Sequence, residues 1–214
     1  MASADELRSE RPRRSDGERT HASILNVATR LASVEGIEGL TIGRLAEALG
    51  VSKSGVYAHF GSKQQLQLET IEKAQAIFAE EVMSPALQAP AGLRRLEALC
   101  EAYISYVERL VFPGGCFFAS LLAEMDARSG RIHQLVVAGE RAFIDGLKEL
   151  AHDAQRRGEI AADASVGQVA FELQAALELA NYHFVLFRDQ GELDRARTAI
   201  AGILARIRTS PPVA

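Results

Sequence analysis

The sequence predicts an all-α fold in two parts, a small N-terminal unit of three helices and a larger helical body behind it. Three observations carry that reading. Apolar residues recur at helical spacing through every long segment, the signature of amphipathic helices. Proline is scarce, at 6 of 214 residues, while Ala and Leu run throughout, a balance that favours helix over sheet. No alternating strand pattern of any length competes, and no internal repeat is evident. A hydrophobic content of 48% over this length suffices for a core, in one elongated domain or in a small domain joined to a larger one.

Residues 1–17 are polar and charged, with Arg8, Arg11, Arg13 and Arg14 clustered among Asp5, Glu6, Glu10 and Asp16. They read as a flexible arm, either a solubilising tail or a basic extension toward a nucleic-acid backbone. A first helix is expected over about residues 20–35, where Ile24, Leu25, Ala28, Leu31 and Ala32 form one apolar stripe. Gly36 and Gly39 then punctuate the chain. Thr41 can cap a second helix whose inner face is Ile42, Leu45, Ala46 and Leu49, and Gly50 supplies the left-handed backbone that ends it. Val51 is the apolar residue of the turn. Ser52 can cap a short third helix over 53–60, with Val56, Tyr57 and Phe60 as its large residues. Gly61 breaks that helix and Ser62 can cap a fourth over 63–84, stopping before Pro85.

Five further helices are expected in the body, over residues 92–111, 116–127, 131–156, 166–187 and 193–207. Pro113-Gly114-Gly115 separates the first two, and Arg157-Gly158-Glu159-Ile160 is a loop. The segment 166–187 is unusually apolar, whereas the last helix has a polar side of Arg195, Arg197 and Arg206. The expected domains are an arm at 1–17, a head at 18–66 and a body at 67–214, with the fourth helix linking head and body.

Charge is unevenly distributed. The net formal charge is −4, yet residues 19–66 hold five basic and three acidic residues, against 15 basic and 20 acidic over 67–214. A mildly basic head on an acidic body suits a specific DNA binder and argues against an indiscriminate polyanion binder. Cys100 and Cys116 are too few for a disulfide framework and fit a reducing cytoplasm. The charged start is not a secretory signal, and no apolar run is long enough to span a membrane.

The head has the pattern of a DNA-reading helix-turn-helix. A helix entering the major groove must be held rigidly by its neighbours and expose donors. Ser52, Lys53 and Ser54 stand at the start of the third helix, where base edges are met. Gly55 permits close approach, Tyr57 and His59 can reach phosphates or bases, and Thr41 and Arg44 can position the backbone from the second helix. Lys63 lies where a phosphate could meet both an ammonium and a helix N-terminus.

Ile24-Leu25, Ala28, Gly36, Thr41, Leu45-Ala46, Gly50-Val51-Ser52, Val56-Tyr57, His59-Phe60, Lys63 and Leu66 closely resemble the N-terminal domain of the tetracycline-repressor (TetR) family over residues 20–69. The resemblance implies that Ser52 to Gly55 face bases, that Thr41, Tyr57 and Lys63 anchor phosphates, that His59 lies close to the DNA backbone and that Phe60 packs in the core. Gln64 departs from the family, which usually has an acid there. The expected fold class is therefore an N-terminal three-helix helix-turn-helix DNA-binding domain followed by a larger helical ligand-binding and dimerisation domain.

Two-fold operators require a dimer, and the body must supply its surface. The resemblance implies a four-helix interface from the last two long helices of each subunit, with Ala170, Leu173, Gln174, Leu177, Glu178, Asn181, Ile200 and Ile203 as candidates; each can equally complete the protomer core. The family also implies a small-molecule inducer between the central helices. The candidates are Tyr103, Val107, Phe117, Phe118, Leu121, Phe143, His183 and Phe184, each with ordinary core packing as its alternative. Tyr103 and His183 offer polar tips in apolar runs, which suits a mostly apolar or aromatic inducer.

No enzyme signature is found: no Gly-rich phosphate loop, no nucleophile elbow and no paired histidines at metal-ligand spacing. Neither a cofactor nor a metal is expected. Cys116 can be read as a redox sensor or as an inert buried thiol. The expected function is that of a sequence-specific regulator, a repressor released from a palindromic operator by an inducer. The alternative is a helical adaptor or scaffold that does not read DNA.

Overall fold

The computed structural model describes residues 4–125 and 129–209, with side chains from Gly17 onward. Among these residues the regular structure is helical, apart from one isolated antiparallel bridge between Ile160 and Arg208. Two units emerge, Met1–Ala74 and Gln75–Ala214.

The head unit contains α1 (Ala4–Glu35), α2 (Ile42–Leu49), α3 (Lys53–Phe60) and the start of α4 (Lys63–Phe78). The first helix begins at Ala4 rather than near residue 20, so the backbone of the expected arm is helical from that point. Residues 4–17 hold four Arg and two Glu, which are good helix formers, and the helix runs on through Pro12 and Gly17. Side chains of the Arg8, Arg11, Arg13 and Arg14 cluster lie outside the described residues. The stripe on α1 is buried at Ile24, Ala28 and Ala32, and Ile37, Leu40, Leu45, Val56, Phe60 and Leu66 complete the head core. Gln67 is also buried here, its amide donating to the Ile37 carbonyl at 2.7 Å, so the loop after α1 is pinned to α4.

The expected fourth helix is not continuous. α4 ends at Phe78 and is followed by a π-helical turn, Ala79–Met83, and by α5 (Ser84–Gln88). Pro85 sits in the first turn of α5. It has no N–H to donate and its ring crowds the carbonyl four residues back, so the chain widens by one residue instead of stopping. The Ser84 N–H accordingly reaches the Ala79 carbonyl, five residues back.

The rest of the body comprises α6 (Leu93–Glu108), α7 (Phe117–Met125), α8 (Arg131–Arg156), α9 (Val166–Phe187) and α10 (Gln190–Ile207). The expected end of α7 at residues 126–127 lies outside the described residues. α9 packs against α10, α8 and α6, around a core that includes Leu96, Leu99, Tyr106, Leu147, Leu173, Leu177 and Leu193.

Two loops fasten this bundle. Gly92 precedes α6 with φ 94° and offers no capping side chain. Glu159, in the loop after α8, fills that role by accepting from the Leu93 N–H. The same loop holds the end of α10, with Ala161 N–H on the Ile207 carbonyl at 2.9 Å and Thr209 N–H on the Glu159 carbonyl at 3.1 Å. The turn before α7 is clamped to α9: the Cys116 N–H donates to Asn181 Oδ1 at 2.7 Å. A Cβ on Gly115 would lie 2.4 Å from both that oxygen and Val185 Cγ2, so glycine is required there.

Candidate functional site

The α2–turn–α3 unit forms from caps encoded within a few residues of each helix. Thr41 Oγ1 accepts from the Arg44 N–H at 3.0 Å. Gly50 adopts φ 67°. Its N–H reaches the Glu47 carbonyl and that of Val51 reaches the Ala46 carbonyl, a Schellman closure that satisfies carbonyls left open at the helix end. Ser52 Oγ then caps α3 by accepting from the Gly55 N–H at 3.1 Å. Val56 and Phe60 are buried, whereas Lys53, Ser54, Gly55 and Tyr57 are exposed, Tyr57 to 58%. One side of α3 thus fixes the helix and the other presents donors.

The basic residues around this face are already oriented. Arg44 is clamped by Glu35, with Nη2 at 2.6 Å and Nε at 2.9 Å from its carboxylate oxygens, which ties α2 to the end of α1. The guanidinium holds the Glu35 carboxyl below its usual range, chiefly through these hydrogen bonds. Lys63 Nζ donates to the Glu38 carbonyl at 2.9 Å and to its carboxylate at 3.1 Å. The stem of Lys53 lies against α2, where a Cβ on Gly43 would come within 3.2 Å of its Cε. His59 is half-buried and meets His21 edge-on at 5.7 Å, and His21 in turn contacts Glu69 at 2.6 Å.

The body unit holds a second feature, a cavity of about 260 Å³. Its apolar walls come from Phe78, Ala79 and Met83 at the end of α4 and in the π-helical turn, Tyr103 on α6, Phe118 and Leu122 on α7, Val136 and Phe143 on α8, and Leu177 on α9. Phe78 is central: the rings of Phe118 and Phe143 stand edge-on to it at 5.7 Å, and Tyr103 at 6.3 Å. The polar lining is Gln75, Glu140, Gln174, Glu178 and Cys116. Gln174 Nε2 donates to Glu140 Oε1 and, at 2.7 Å, to Glu178 Oε1. Burial pushes the Glu140 carboxyl above its usual range; the Gln174 amide opposes that shift and the Glu178 charge adds to it.

Three of the expected ligand residues, Tyr103, Phe118 and Phe143, line this cavity. Val107, Phe117, Leu121 and Phe184 do not; they are buried in the core. His183 also lies away from the cavity, half-buried, with Nδ1 3.0 Å from Glu192 Oε2 and its ring against Phe187. Its expected polar tip therefore serves a link between α9 and α10. Cys116 is buried and desolvation pushes its thiol up, which favours the inert reading over the redox one because the thiolate is the reactive form.

Most of the residues expected at the dimer surface take the alternative of protomer core. Ala170, Leu173, Leu177, Asn181 and Ile200 are buried within the protomer. Gln174, Leu177 and Glu178 face the cavity instead, and Ile203 is half-buried. α9 lies against three other helices, so this side of it is internal. The outward side is a stripe of Phe171, Leu179, Tyr182 and Leu186, with Phe171 67% and Leu186 72% exposed. Its spacing of eight, three and four residues keeps it on one helix face, and that periodicity was available as a signal.

Comparison with known proteins adds to these features. Residues 24–70 match the bacterial regulatory proteins of the tetR family, and residues 92–200 match the tetracyclin repressor-like C-terminal domain. The HTH-type transcriptional regulator AcrR of Shigella flexneri is 33% identical over 70 residues, 33% of each chain; the match thus spans about a third of that relative's length. Among solved structures, a TetR transcriptional regulator from Chloroflexus aurantiacus is similar with a TM-score of 0.84 at 24% identity, covering 92% of this chain and 100% of that one. AibR, solved in complex with isovaleryl coenzyme A and operator DNA, has a TM-score of 0.68 at 22% identity, covering 87% of this chain and 97% of that one. At these identities the likeness is one of fold. No described helix is long and apolar enough to cross a membrane.

Proposed function

The chain belongs to the tetracycline-repressor family, and we propose that it is a homodimeric, sequence-specific transcriptional regulator, a cytoplasmic repressor released from a palindromic operator by a small, mostly apolar molecule. The observation that carries this reading is α3: a helix capped by Ser52, fixed from behind by Val56 and Phe60, and exposing Lys53, Ser54, Gly55 and Tyr57. In this reading Ser52 to Gly55 meet base edges, and Thr41, Tyr57 and Lys63 meet phosphates with His59 close by. Arg44 acts chiefly through Glu35, by fixing α2. The aromatic cavity is the effector site, in keeping with a relative of the same fold solved with both a small molecule and operator DNA. The outward stripe on α9 is the dimer surface. The protein acts by binding rather than by catalysis.

Gel-shift titration on duplexes from the flanking promoter region tests the reading. Lys63→Ala should weaken binding to specific and nonspecific duplexes alike, because a phosphate contact carries no sequence information. It should also reduce the salt slope by about one. Lys53→Ala should instead change the ranking of operator variants. A wild-type protein with no affinity for any such duplex would favour a helical adaptor that binds protein partners.

A further inference from the structure

The chemistry of the effector follows from an imbalance in the cavity wall. Glu140 and Glu178 both line it, and both accept from a single amide nitrogen, that of Gln174. No ion pair among the described residues involves either carboxylate, although Glu81, Glu101, Glu108, Glu172 and Glu192 are all paired with Arg or His. Beside them Phe78, Tyr103, Phe118 and Phe143 form a cluster of rings on the same cavity.

Each part of this wall selects for the same ligand charge. Both carboxylates are half-buried on this wall; a carboxylate partly removed from water without a counter-ion is unfavourable, and a single NH2 group divided between the two only partly offsets that. An anionic ligand would meet repulsion from two acids. A neutral apolar ligand would expel water and leave both carboxylates worse solvated than before. A cation satisfies them, and ring faces attract it as well, most strongly where water is excluded.

We propose that the effector is a compact lipophilic cation, an aryl or alkyl ammonium, whose charge sits against Glu140 and Glu178 on the cavity wall and whose apolar body fills the ring-lined part of the cavity. This rests on the reading of the cavity as the effector site. The binding is non-covalent and requires no further reactant.

The test uses the full-length protein, benzyltrimethylammonium as probe, and its neutral analogue with carbon in place of nitrogen. Calorimetry should find the cation bound at least about ten-fold more tightly than the neutral analogue. Glu140→Gln and Glu178→Gln, which retain side-chain size and hydrogen bonding, should each reduce that preference, and the double variant should abolish it. Phe118→Trp should weaken both probes by filling the cavity. Equal binding of the two probes, or a preference unchanged in the double variant, overturns the charge assignment while leaving the cavity as the ligand site. Binding of neither probe, or binding of both that Phe118→Trp leaves untouched, overturns the cavity reading itself.

Discussion

Glu140 carries a pH signature of its own. Burial raises its carboxyl, and the neighbouring Glu178 charge adds to that, so the folded chain holds this proton more tightly than the unfolded chain does. Between the ordinary carboxylate range and the raised folded value, stability therefore increases as pH falls; above the folded value the charged form is a persistent burden. Glu140→Gln should accordingly raise the thermal midpoint at neutral pH, with the gain shrinking as pH drops toward the ordinary carboxylate range. Melting curves across that range check it, and a gain independent of pH would locate the effect in packing. Asn181 makes a complementary case. Its Oδ1 is the acceptor for the buried Cys116 N–H, and Asn181→Ala would leave that donor unsatisfied at a cost of about 1–3 kcal/mol, measurable by denaturant unfolding. Neither role was legible in the sequence. Glu140 is one acid among several on the long amphipathic α8, with nothing in its neighbours to mark it out, and Asn181 meets its partner 65 residues away. Tyr103, Phe118 and Phe143 were legible as bulky residues on apolar faces, but the same criterion selected Val107, Phe117, Leu121 and Phe184, which are core.

At the scale of elements, α9 separates two jobs on opposite sides. Leu173 and Leu177 are fully buried, whereas Leu179 is 55% exposed on the stripe with Phe171, Tyr182 and Leu186. Leu177→Ala should destabilise the protomer by about 2–5 kcal/mol, as buried Leu truncations do. Leu179→Glu should leave the protomer folded and shift it from dimer to monomer, because the charge meets solvent in the monomer and an apolar surface in the dimer. Light scattering and thermal melts of the two variants distinguish the sides; a Leu179→Glu protein that stays dimeric would remove the stripe from the interface. Sequence periodicity found α9 but chose its inner side. A helix apolar nearly all round does not reveal which stripe its neighbours cover. The helix-turn-helix was legible to the residue because its determinants are local: Thr41, Gly50 and Ser52 act within five residues of themselves. The π-helical turn was not, since Pro85 marks a disruption without specifying whether the helix ends, kinks or widens.

At the scale of the whole molecule, α4 belongs to both units. It starts at Lys63 in the head, and Gln75 and Phe78 at its far end line the cavity, followed by Ala79 and Met83 of the π-helical turn. A ligand filling the cavity thus bears on the end of a helix whose beginning carries a proposed phosphate contact. Any such coupling is a free energy between two binding events and must be reciprocal. For a coupling of about 1–3 kcal/mol, a saturating effector should weaken the operator about 5–150-fold, and saturating operator should weaken the effector by the same factor. Fluorescence anisotropy of a labelled duplex, with and without effector, gives the first factor. Calorimetry of the effector, with and without duplex, gives the second. Met83→Ala, which loosens the cavity at the π-helical turn without touching the head, should lower both factors together while leaving operator affinity in the absence of effector unchanged. Two factors of one would mean that the cavity binds without controlling DNA, because a ligand with equal affinity for both states shifts nothing however tightly it binds.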